Sequence, residues 1–209
     1  MSTTTIDELI KDIDGLYLVQ DFISEEEEIT LANNVDACEW SSEIARRTQQ
    51  YGYHYSYRLR GVNRTQTDGN SNNNNNDSNN DKNDNDTPMP DYLNFVVDRL
   101  NNLKEPTTMP HRFDQVIINE YTQDQGIKPH VDSTVDWEST IVSLSLLAQW
   151  NMIFVHQDKE IEIPLPRRSI LILQRDARYI WKHGIKNQSG DRRISLTFRK
   201  YKGNEINIH

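Results

Sequence analysis

The sequence predicts a mainly β domain with flanking helices, an α+β protein whose core is a sandwich or barrel such as a jelly roll. From residue 113 onwards, short apolar or alternating runs follow one another between turn residues, among them FDQVIINEY, TIVSLSLLAQ, EIEIPLP, SILILQ and RYIWKHGI. Helical periodicity occurs in two earlier stretches. Neither GxGxxG nor GxxxxGKS/T is present, which argues against the common nucleotide-binding α/β folds.

The first predicted elements are a strand, a turn and a helix. The run GLYLVQDFIS is typical of a strand followed by a turn. Ser24 and Glu27 then have the spacing of a capping box, in which each side chain bonds the backbone N–H of the other residue. We expect a helix over EEEEITLANNVDA, because acidic residues in its first turn suit the positive end of the helix dipole.

A stretch rich in tyrosine and arginine follows, RRTQQYGYHYSYRLRGV. Four of its tyrosines alternate, so in a single strand they would share one face. Aromatic faces stack on unpaired bases and arginines bind phosphates, so this face could contact a nucleic acid. Alternatively, the tyrosines pack across the strands of an ordinary hairpin. The candidate substrate contacts in this stretch are Arg47, Tyr51, Tyr53 and His54.

Residues 70–88 form an Asn- and Asp-rich insertion that we predict to be disordered. The tract NSNNNNNDSNNDKNDND contains no apolar residue, so it has nothing to bury. It separates an N-terminal region for strand, helix and nucleotide recognition (1–69) from a predicted jelly-roll core (111–201), and we interpret 1–209 as a single domain. A specific binding tract is the alternative. The run PDYLNFVVDRLNNL then predicts a helix whose apolar side is Leu93, Val96, Val97 and Leu100.

Charge and cysteine content limit the functions open to the chain. The net charge of −9 gives no support to nucleic-acid binding. The acidity is uneven, however, because residues 1–110 hold 9 Lys and Arg against 20 Asp and Glu, whereas residues 111–209 hold 14 against 12. A locally basic groove therefore stays possible. With Cys38 as its single cysteine, the chain can form neither an internal disulfide nor a cysteine-rich zinc cluster.

The expected compartment is a reducing one, the cytoplasm or the nucleus. The start of the chain, MSTTTIDELIKDID, is polar and acidic and has no apolar region of the kind found in signal peptides. No apolar run approaches the ~18–20 residues that a membrane span needs.

Three residues form a candidate metal site. In PHVDSTVDW, His130 and Asp132 are two residues apart, so in a strand both side chains point the same way. His183 follows the predicted strand ARYIWK some fifty residues later. Two imidazoles and one carboxylate make up the facial triad of non-haem Fe(II) oxygenases, which leaves coordination positions open. The alternative is that these are polar residues in ordinary turns.

Two arginines indicate an anion site. In RRISLTFR, Arg193 and Arg199 lie six apart and therefore on one face of a strand. Facing inwards they would be costly unless they met anions. Six strand residues span about 20 Å, so the gap between the two guanidinium groups could hold one small dicarboxylate. Asn119 and Tyr121, in INEY, also share a face. The alternative is a charged edge strand whose arginines lie in water.

Together these stretches resemble the AlkB-type Fe(II)/2-oxoglutarate dioxygenases. The resemblance rests on INEY…QGIKPHVD, LPRRSILIL, RYIWKHGI and RRISLTFRK, and it covers residues 113–201 well. The pattern HxD…H…RxxxxxR is matched in order. Within the family, RRTQQYGYHYSY, HVDSTVDWESTIVSLSL and LPRRSILIL are most similar to the AlkB domain of the eukaryotic tRNA wobble-uridine hydroxylase.

The resemblance implies a double-stranded β-helix, a jelly roll, that binds Fe(II) and uses 2-oxoglutarate and O₂ as co-substrates. Its implied metal ligands are His130, Asp132 and His183. Its implied 2-oxoglutarate-binding residues are Asn119, Tyr121, Arg193 and Arg199. Arg199 would face the carboxylate next to the iron and Arg193 the distal one. Oxidative decarboxylation to succinate and CO₂ would be coupled to hydroxylation of a substrate C–H bond.

The substrate implied is a modified wobble uridine in tRNA. The sequence departs from that subfamily because 209 residues leave no room for flanking RNA-recognition and methyltransferase domains, the zinc-site cysteines are missing, and the Asn-rich insertion is added. A partner protein could therefore deliver the substrate. Trp137 could line the pocket mouth, or it could be a core residue. The alternatives are an oxidative demethylase of N-alkylated bases in DNA or RNA, a non-catalytic RNA-binding module on the same fold, and a different metal β-barrel enzyme.

Overall fold

The computed structural model describes residues 5–56, 61–62, 87–186 and 190–203. Tyr57 and residues 70–86 of the predicted insertion lie outside these ranges. The helices are α1 (Ile6–Ile10), α2 (Glu25–Asp36), α3 (Asn94–Asn101) and α4 (Arg175–Tyr179), with a 3-10 turn at Asp91–Leu93. The strands are β1 (Leu16–Val19), β2 (Thr48–Tyr51), β3 (Tyr55–Ser56), β4 (Gly61–Val62), β5 (Gln115–Tyr121), β6 (Ile127–His130), β7 (Ile141–Leu146), β8 (Trp150–His156), β9 (Lys159–Leu165), β10 (Ile170–Leu173), β11 (Lys182–Ile185) and β12 (Arg193–Arg199).

Two antiparallel sheets form the predicted jelly roll. The larger sheet has the order β1-β10-β7-β12-β5-β2 and the smaller one β6-β11-β8-β9, while β3 and β4 form a separate pair. Neighbouring strands in both sheets are antiparallel. The mainly β fold class and the double-stranded β-helix core are confirmed. No helix among the described residues is long and apolar enough to cross a membrane.

Alternation along β12 separates the core from the candidate site. Ile194, Leu196 and Phe198 are fully buried and pack with α2 and α3 on one face of the larger sheet. The residues between them point to the opposite face, as the period of two in a strand requires. On that face Ser195 and Arg199 line a cavity. Because β12 lies between β7 and β5, it is an inner strand, which excludes the alternative of a charged edge strand.

The two predicted helices are confirmed. The Ser24 backbone N–H donates to Glu27 Oε2 at 2.8 Å, and the Glu27 N–H donates to Ser24 Oγ at 3.2 Å, so the capping box is complete. The second helix begins as the 3-10 turn and continues as α3. Its predicted apolar side is buried throughout, with Leu93, Val96, Val97 and Leu100 each at most 2% exposed.

Among the described residues, the tyrosine-rich stretch does not form the single strand that was one of its two predicted arrangements. The strand β2 ends at Tyr51, and Gly52 follows with φ +81°, a conformation that favours glycine. A Cβ at Gly52 would lie 2.0 Å from the carbonyl oxygen of Asp114, so no other residue fits there. Tyr51 therefore packs in the core beside the helices, whereas the Tyr53 ring packs against that of Tyr201 with 4.3 Å between centroids. Tyr51 and Tyr53 therefore do not share a face.

The run RYIWKHGI is also not one strand, contrary to the prediction. Its first part belongs to α4, and only Lys182–Ile185 forms a strand, β11. Ala177 and Trp181, four residues apart, are buried, while Tyr179 and Ile180 between them are exposed. That separation is a helical one. A short apolar run has no periodicity of its own that distinguishes a helix from a strand.

Stability is expected to fall in acid partly through Glu27. Hydrogen bonds from Arg99 lower the pKa of the Glu27 carboxyl from 4.5 to about 2. Because the folded pKa lies below the unfolded one, the pair stabilises the fold fully above pH 4.5 and loses this effect as the pH falls towards 2. Both side chains are partly exposed, 40% for Arg99 and 31% for Glu27, so we expect about 1 kcal/mol after solvent screening.

Urea unfolding of wild type and Arg99→Met between pH 2 and 7 measures this effect. The difference between them should be about 1 kcal/mol larger at pH 6 than near pH 2, because the bonds from Arg99 to Glu27 are lost in acid, whereas the bond from Arg99 to the Phe22 carbonyl oxygen is independent of pH. The matched control is Arg112→Met, because the Arg112–Asp98 pair is 59% exposed on both sides and should contribute nothing measurable. A difference that does not depend on pH would contradict the assignment to Glu27.

Candidate active site

The three predicted metal ligands lie together on neighbouring segments of the smaller sheet. His130 ends β6 and faces His183 of β11 in the strand register. Asp132 follows two residues after β6. The candidate ligand atoms all lie within 4.8 Å of one another, and His183 Nε2 is 3.1 Å from Asp132 Oδ2. The arrangement of two imidazoles and one carboxylate could hold a divalent transition-metal ion.

Local contacts orient the two imidazoles. His130 Nδ1 lies 2.9 Å from the carbonyl oxygen of Lys128, so this nitrogen donates and Nε2 is left to bind a metal ion. Gly184 allows β6 to approach the strand of His183 closely, because a Cβ there would lie 2.5 Å from the carbonyl oxygen of Ile127. The close approach of the two strands thus depends on a glycine beside the ligand.

The charges and the burial around the site favour the protonation states in which Asp132 and His130 can bind a metal ion. Burial by itself raises the pKa of the Asp132 carboxyl, but Arg199 and the two histidines hold the pKa well below its usual range. Burial and the neighbouring His183 lower the pKa of His130. At neutral pH the site therefore presents an ionised carboxylate and, at His130, a neutral imidazole, the forms that bind metal ions.

Arg199 contacts both a candidate metal ligand and a buried tryptophan. Its guanidinium donates to Asp132 Oδ1 at 2.7 Å and lies over the Trp137 ring, 5.4 Å from the centroid. Its Nε is buried and has no hydrogen-bond partner among the described residues. Trp137 is 1% exposed and packs beside Tyr201, behind Arg199. A substrate contact by Trp137 stays a prediction, since the ring does not line the cavity.

Arg193 is buried with most of its donors unused. Its guanidinium lies 5.3 Å from the centroid of the Tyr121 ring and donates to Ser145 Oγ at 2.8 Å. Within the described ranges its Nε and its NH1 group have no partner, although the residue is fully buried. Burial lowers the pKa of Arg193 to about 10, so it is charged at neutral pH. A buried cation with unpartnered donors could bind an anion.

Two serines of β7 complete this polar face and were missed in the sequence. Ser145 accepts the bond from Arg193, and Ser143 shares a hydrogen bond of 3.0 Å with Ser195. The alternation in IVSLSL is a signal that could have found them, because it places both hydroxyl groups on one face of the strand.

A cavity of about 1000 Å³ is lined by Ser143 and Ser195, whereas Ser145 and Arg193 are not among its lining residues. It is lined by the candidate ligands, by polar residues of β5 and β12, and by part of the tyrosine-rich stretch. The lining includes Arg46, Tyr55, Asn119, Tyr121, His130, Asp132, His183 and Arg199. The cavity therefore gives a substrate access to the candidate metal site.

The two adjacent arginines of the tyrosine-rich stretch have different surroundings. Arg46 lines the cavity and its Nε donates to Asn119 Oδ1 at 2.8 Å. Arg47 binds Glu120 through two hydrogen bonds of 2.6 and 2.7 Å, and its guanidinium lies over the Trp40 ring. The cavity residue is thus Arg46, which was not among the predicted contacts.

The other predicted substrate contacts stay predictions. Tyr51 is in the core, where its hydroxyl donates to Gln49 Oε1 at 3.2 Å. Tyr53 packs on Tyr201, and His54 is partly buried. None of the three lines the cavity, whereas Tyr55, two residues further on, does.

Known proteins are similar to this chain in sequence and in fold. A family model described as the 2OG-Fe(II) oxygenase superfamily matches residues 15–199. The chain is 34% identical over 186 residues to the tRNA (carboxymethyluridine(34)-5-O)-methyltransferase alkbh8 of Xenopus tropicalis, a match that covers 85% of this chain and 26% of that protein. It is 30% identical over 204 residues to the uncharacterized protein L905 of Acanthamoeba polyphaga mimivirus, covering 90% and 86% respectively.

The fold is also similar to solved structures. The structure of OsALKBH1 superposes with a TM-score of 0.61 at 15% sequence identity, covering 89% of this chain and 98% of the other. At that identity the likeness concerns the fold alone. The chain spans about a quarter of the length of the frog relative, so that protein has extensive regions with no counterpart here.

Proposed function

Because the chain belongs to the 2OG-Fe(II) oxygenase superfamily, and within it to the AlkB-like dioxygenases, we propose that it hydroxylates a modified wobble uridine in tRNA. As a member of this family it is an enzyme that uses Fe(II), 2-oxoglutarate and O₂. The observation that carries the tRNA proposal is the 34% identity, over 85% of the chain, to a protein named for a modification of uridine 34 in tRNA.

The candidate ligands that line the cavity fit the metal ion, and Arg193, which is buried against the cavity residue Tyr121, fits the co-substrate. Two imidazole nitrogens and one carboxylate oxygen suit Fe(II). The unpartnered Nε and NH1 groups of Arg193 suit a carboxylate, which a guanidinium can bind through two parallel hydrogen bonds. When bound, iron and 2-oxoglutarate supply the oxidising chemistry, in which decarboxylation to succinate and CO₂ accompanies insertion of oxygen into a substrate C–H bond.

In the proposed arrangement each buried group has a separate role. His130, Asp132 and His183 hold the metal ion. Arg199 keeps the Asp132 carboxylate ionised and oriented, and faces the carboxylate of 2-oxoglutarate nearest the metal. The residues proposed to bind 2-oxoglutarate are Arg199, Arg193, Tyr121 and Asn119, with Arg193 on the distal carboxylate. These contacts leave the rest of the cavity for the substrate nucleotide.

Arg46 and Tyr55 support a nucleic-acid substrate. Both line the cavity that contains the candidate metal ligands. An arginine can bind a phosphate or an exocyclic carbonyl group, and a tyrosine ring can stack on an unpaired base. A wobble base lies in a single-stranded loop, so it can enter the cavity without being extracted from a duplex.

We also propose a compartment and a partner protein for this enzyme. We propose that the partner protein delivers the tRNA. The compartment is the cytoplasm or the nucleus, where a chain with the single cysteine Cys38 remains reduced.

The test is turnover on tRNA from cells that lack this gene. The full chain with Fe(II) and 2-oxoglutarate should release succinate and convert a wobble-uridine derivative into its hydroxylated form, as measured by mass spectrometry of nucleosides. His130→Ala should do neither. Loss of a methylated base instead would show demethylation. Absence of turnover on any RNA or DNA, with His130→Ala equal to wild type, would overturn the proposal.

The neighbouring pair Arg46 and Arg47 gives a matched test of the substrate contact. We expect Arg46→Met to raise the KM for tRNA about tenfold, which corresponds to ~1.4 kcal/mol. Arg47→Met should leave that KM unchanged and lower stability, because it deprives the buried Glu120 of one of its arginine partners. The KM for 2-oxoglutarate, measured in both variants, controls for the lost contact between Arg46 and Asn119. Equal effects of the two variants on the KM for tRNA would contradict the assignment.

A further inference from the structure

Arg178 of α4 is a buried arginine that the proposed reaction does not use. It is 0% exposed, and no carboxylate of the described residues lies within ion-pair distance of its guanidinium. Burying a charge without a counter-ion costs several kcal/mol, on the order of the stability of a whole domain. The guanidinium must therefore be compensated by other contacts.

The compensation comes from backbone carbonyl groups of a single loop, residues 132–138. The guanidinium donates to four carbonyl oxygens: NH1 to Asp132 at 3.0 Å, NH2 to Ser133 at 2.8 Å and to Trp137 at 3.3 Å, and Nε to Glu138 at 3.4 Å. The loop thus closes around one side chain from a different segment of the chain.

Only arginine can make this set of contacts. Its guanidinium presents five N–H donors in a rigid plane, whereas a lysine ammonium has three donors at a single point. An apolar side chain of similar size would avoid the cost of the buried charge, but it would leave several carbonyl groups of the loop without a partner. The hydrogen bonds of Arg178 therefore fix the shape of the loop, in addition to filling the space inside it.

The loop held by Arg178 carries two parts of the candidate metal site. Its first residue, Asp132, is a proposed ligand, and the guanidinium holds its backbone carbonyl group. Near the other end, Trp137 lies under Arg199, which in turn bonds the Asp132 carboxylate. Contacts from Arg178 thus reach Asp132 both directly and through the Trp137–Arg199 pair.

Arg178 also connects to the other side of the site. From α4 the chain continues through the buried Trp181 into β11, which presents His183. We propose that Arg178 is a positioning residue that fixes the Asp132 loop relative to the His183 strand and so sets the affinity of the site for its metal ion. This inference rests on the proposed role of His130, Asp132 and His183.

The experiment titrates the metal-free full chain with Mn(II) and measures free Mn(II) by electron paramagnetic resonance. Loss of a group that orients a metal ligand typically weakens metal binding by about 10–100-fold. Arg178→Met should raise the Kd for Mn(II) within this range, and Arg178→Lys should raise it less. Should Arg178→Met fail to fold, Arg178→Lys decides the matter, since it keeps the charge and part of the hydrogen bonding.

Arg167→Met is the matched control for general destabilisation. Arg167 also serves a buried partner, because it donates to Glu28, whose side chain is 1% exposed, but it does not line the cavity. Its replacement should lower the Tm and leave the Kd for Mn(II) unchanged. A Kd in the Arg178 variants within twofold of wild type, or an equal loss in Arg167→Met, would overturn the inference.

The same titration separates this inference from the function on which it rests. If His130→Ala binds Mn(II) as well as wild type, the proposed metal site itself is wrong. If His130→Ala loses binding and the Arg178 variants keep it, the metal site stands and only the positioning role is wrong.

Discussion

Asp132→Ala is expected to abolish 2-oxoglutarate turnover and, at the same time, to destabilise the metal-free protein. The carboxylate is one of three proposed ligands, so Mn(II) binding should fall by at least about 100-fold, at the upper end of what loss of an orienting contact causes. The destabilisation has a separate cause. Arg199 is 9% exposed, and its only charged partner in the described chain is Asp132 at 2.7 Å. Removing one partner of a buried pair costs about 3–5 kcal/mol.

Urea unfolding and Mn(II) titration of the metal-free variant measure the two effects independently. The double variant Asp132→Ala, Arg199→Met removes both charges, so it should recover much of the lost stability without recovering Mn(II) binding. An Asp132→Ala protein that unfolds at the wild-type urea concentration would show that the Asp132–Arg199 pair does not stabilise the fold. One that still binds Mn(II) as tightly as wild type would remove Asp132 from the ligand set.

Arg193→Met is expected to make the protein more stable and to weaken 2-oxoglutarate binding strongly. In the absence of co-substrate Arg193 is a fully buried cation whose one polar partner in the described chain is the Ser145 hydroxyl. Replacing a buried charge by an apolar side chain of similar size can stabilise by about 1–4 kcal/mol. The same change removes the proposed partner of the distal carboxylate. Truncating one partner of a buried charge pair costs ~2–5 kcal/mol, so the Kd for 2-oxoglutarate should rise about 30- to 5000-fold.

Arg192→Met is the matched control, because the adjacent side chain has the opposite character. Arg192 is partly exposed and paired with Asp36 and Glu120. Its loss should lower stability and leave 2-oxoglutarate binding unchanged. Unfolding in urea without co-substrate, together with the rise of Tm on adding 2-oxoglutarate, distinguishes the two variants. A destabilised Arg193→Met protein that still gains Tm from 2-oxoglutarate would show that Arg193 is structural.

Arg193 is a buried charge that lowers the stability of the protein in the absence of co-substrate. It is fully buried, and it has no carboxylate partner among the residues that the structure describes. Such groups are expected at a functional site, because a sequence optimised for folding alone would replace them with apolar residues.

Local signals in the sequence were sufficient for several elements. The helix α2 follows from Ser24 and Glu27, because a capping box is complete within four residues. The shared face of Arg193 and Arg199 follows from the period of two in a strand. The prediction for RYIWKHGI was wrong, because burial against distant parts of the fold determines where α4 forms. A run of eight residues carries no information about those contacts.

The sequence by itself determined which kinds of groups the site contains and in which order they occur along the chain. His130, Asp132 and His183 could be proposed as one set, because their spacing and residue types match a known ligand pattern. Only the tertiary structure decided which side chains meet. In the structure Asp132 Oδ2 lies 3.1 Å from His183 Nε2. Arg46 lines the cavity, whereas the adjacent Arg47 donates to Glu120. The physical reason is that strand pairing, loop closure and the burial of charges join residues far apart in the chain, whereas spacing reports only on neighbours.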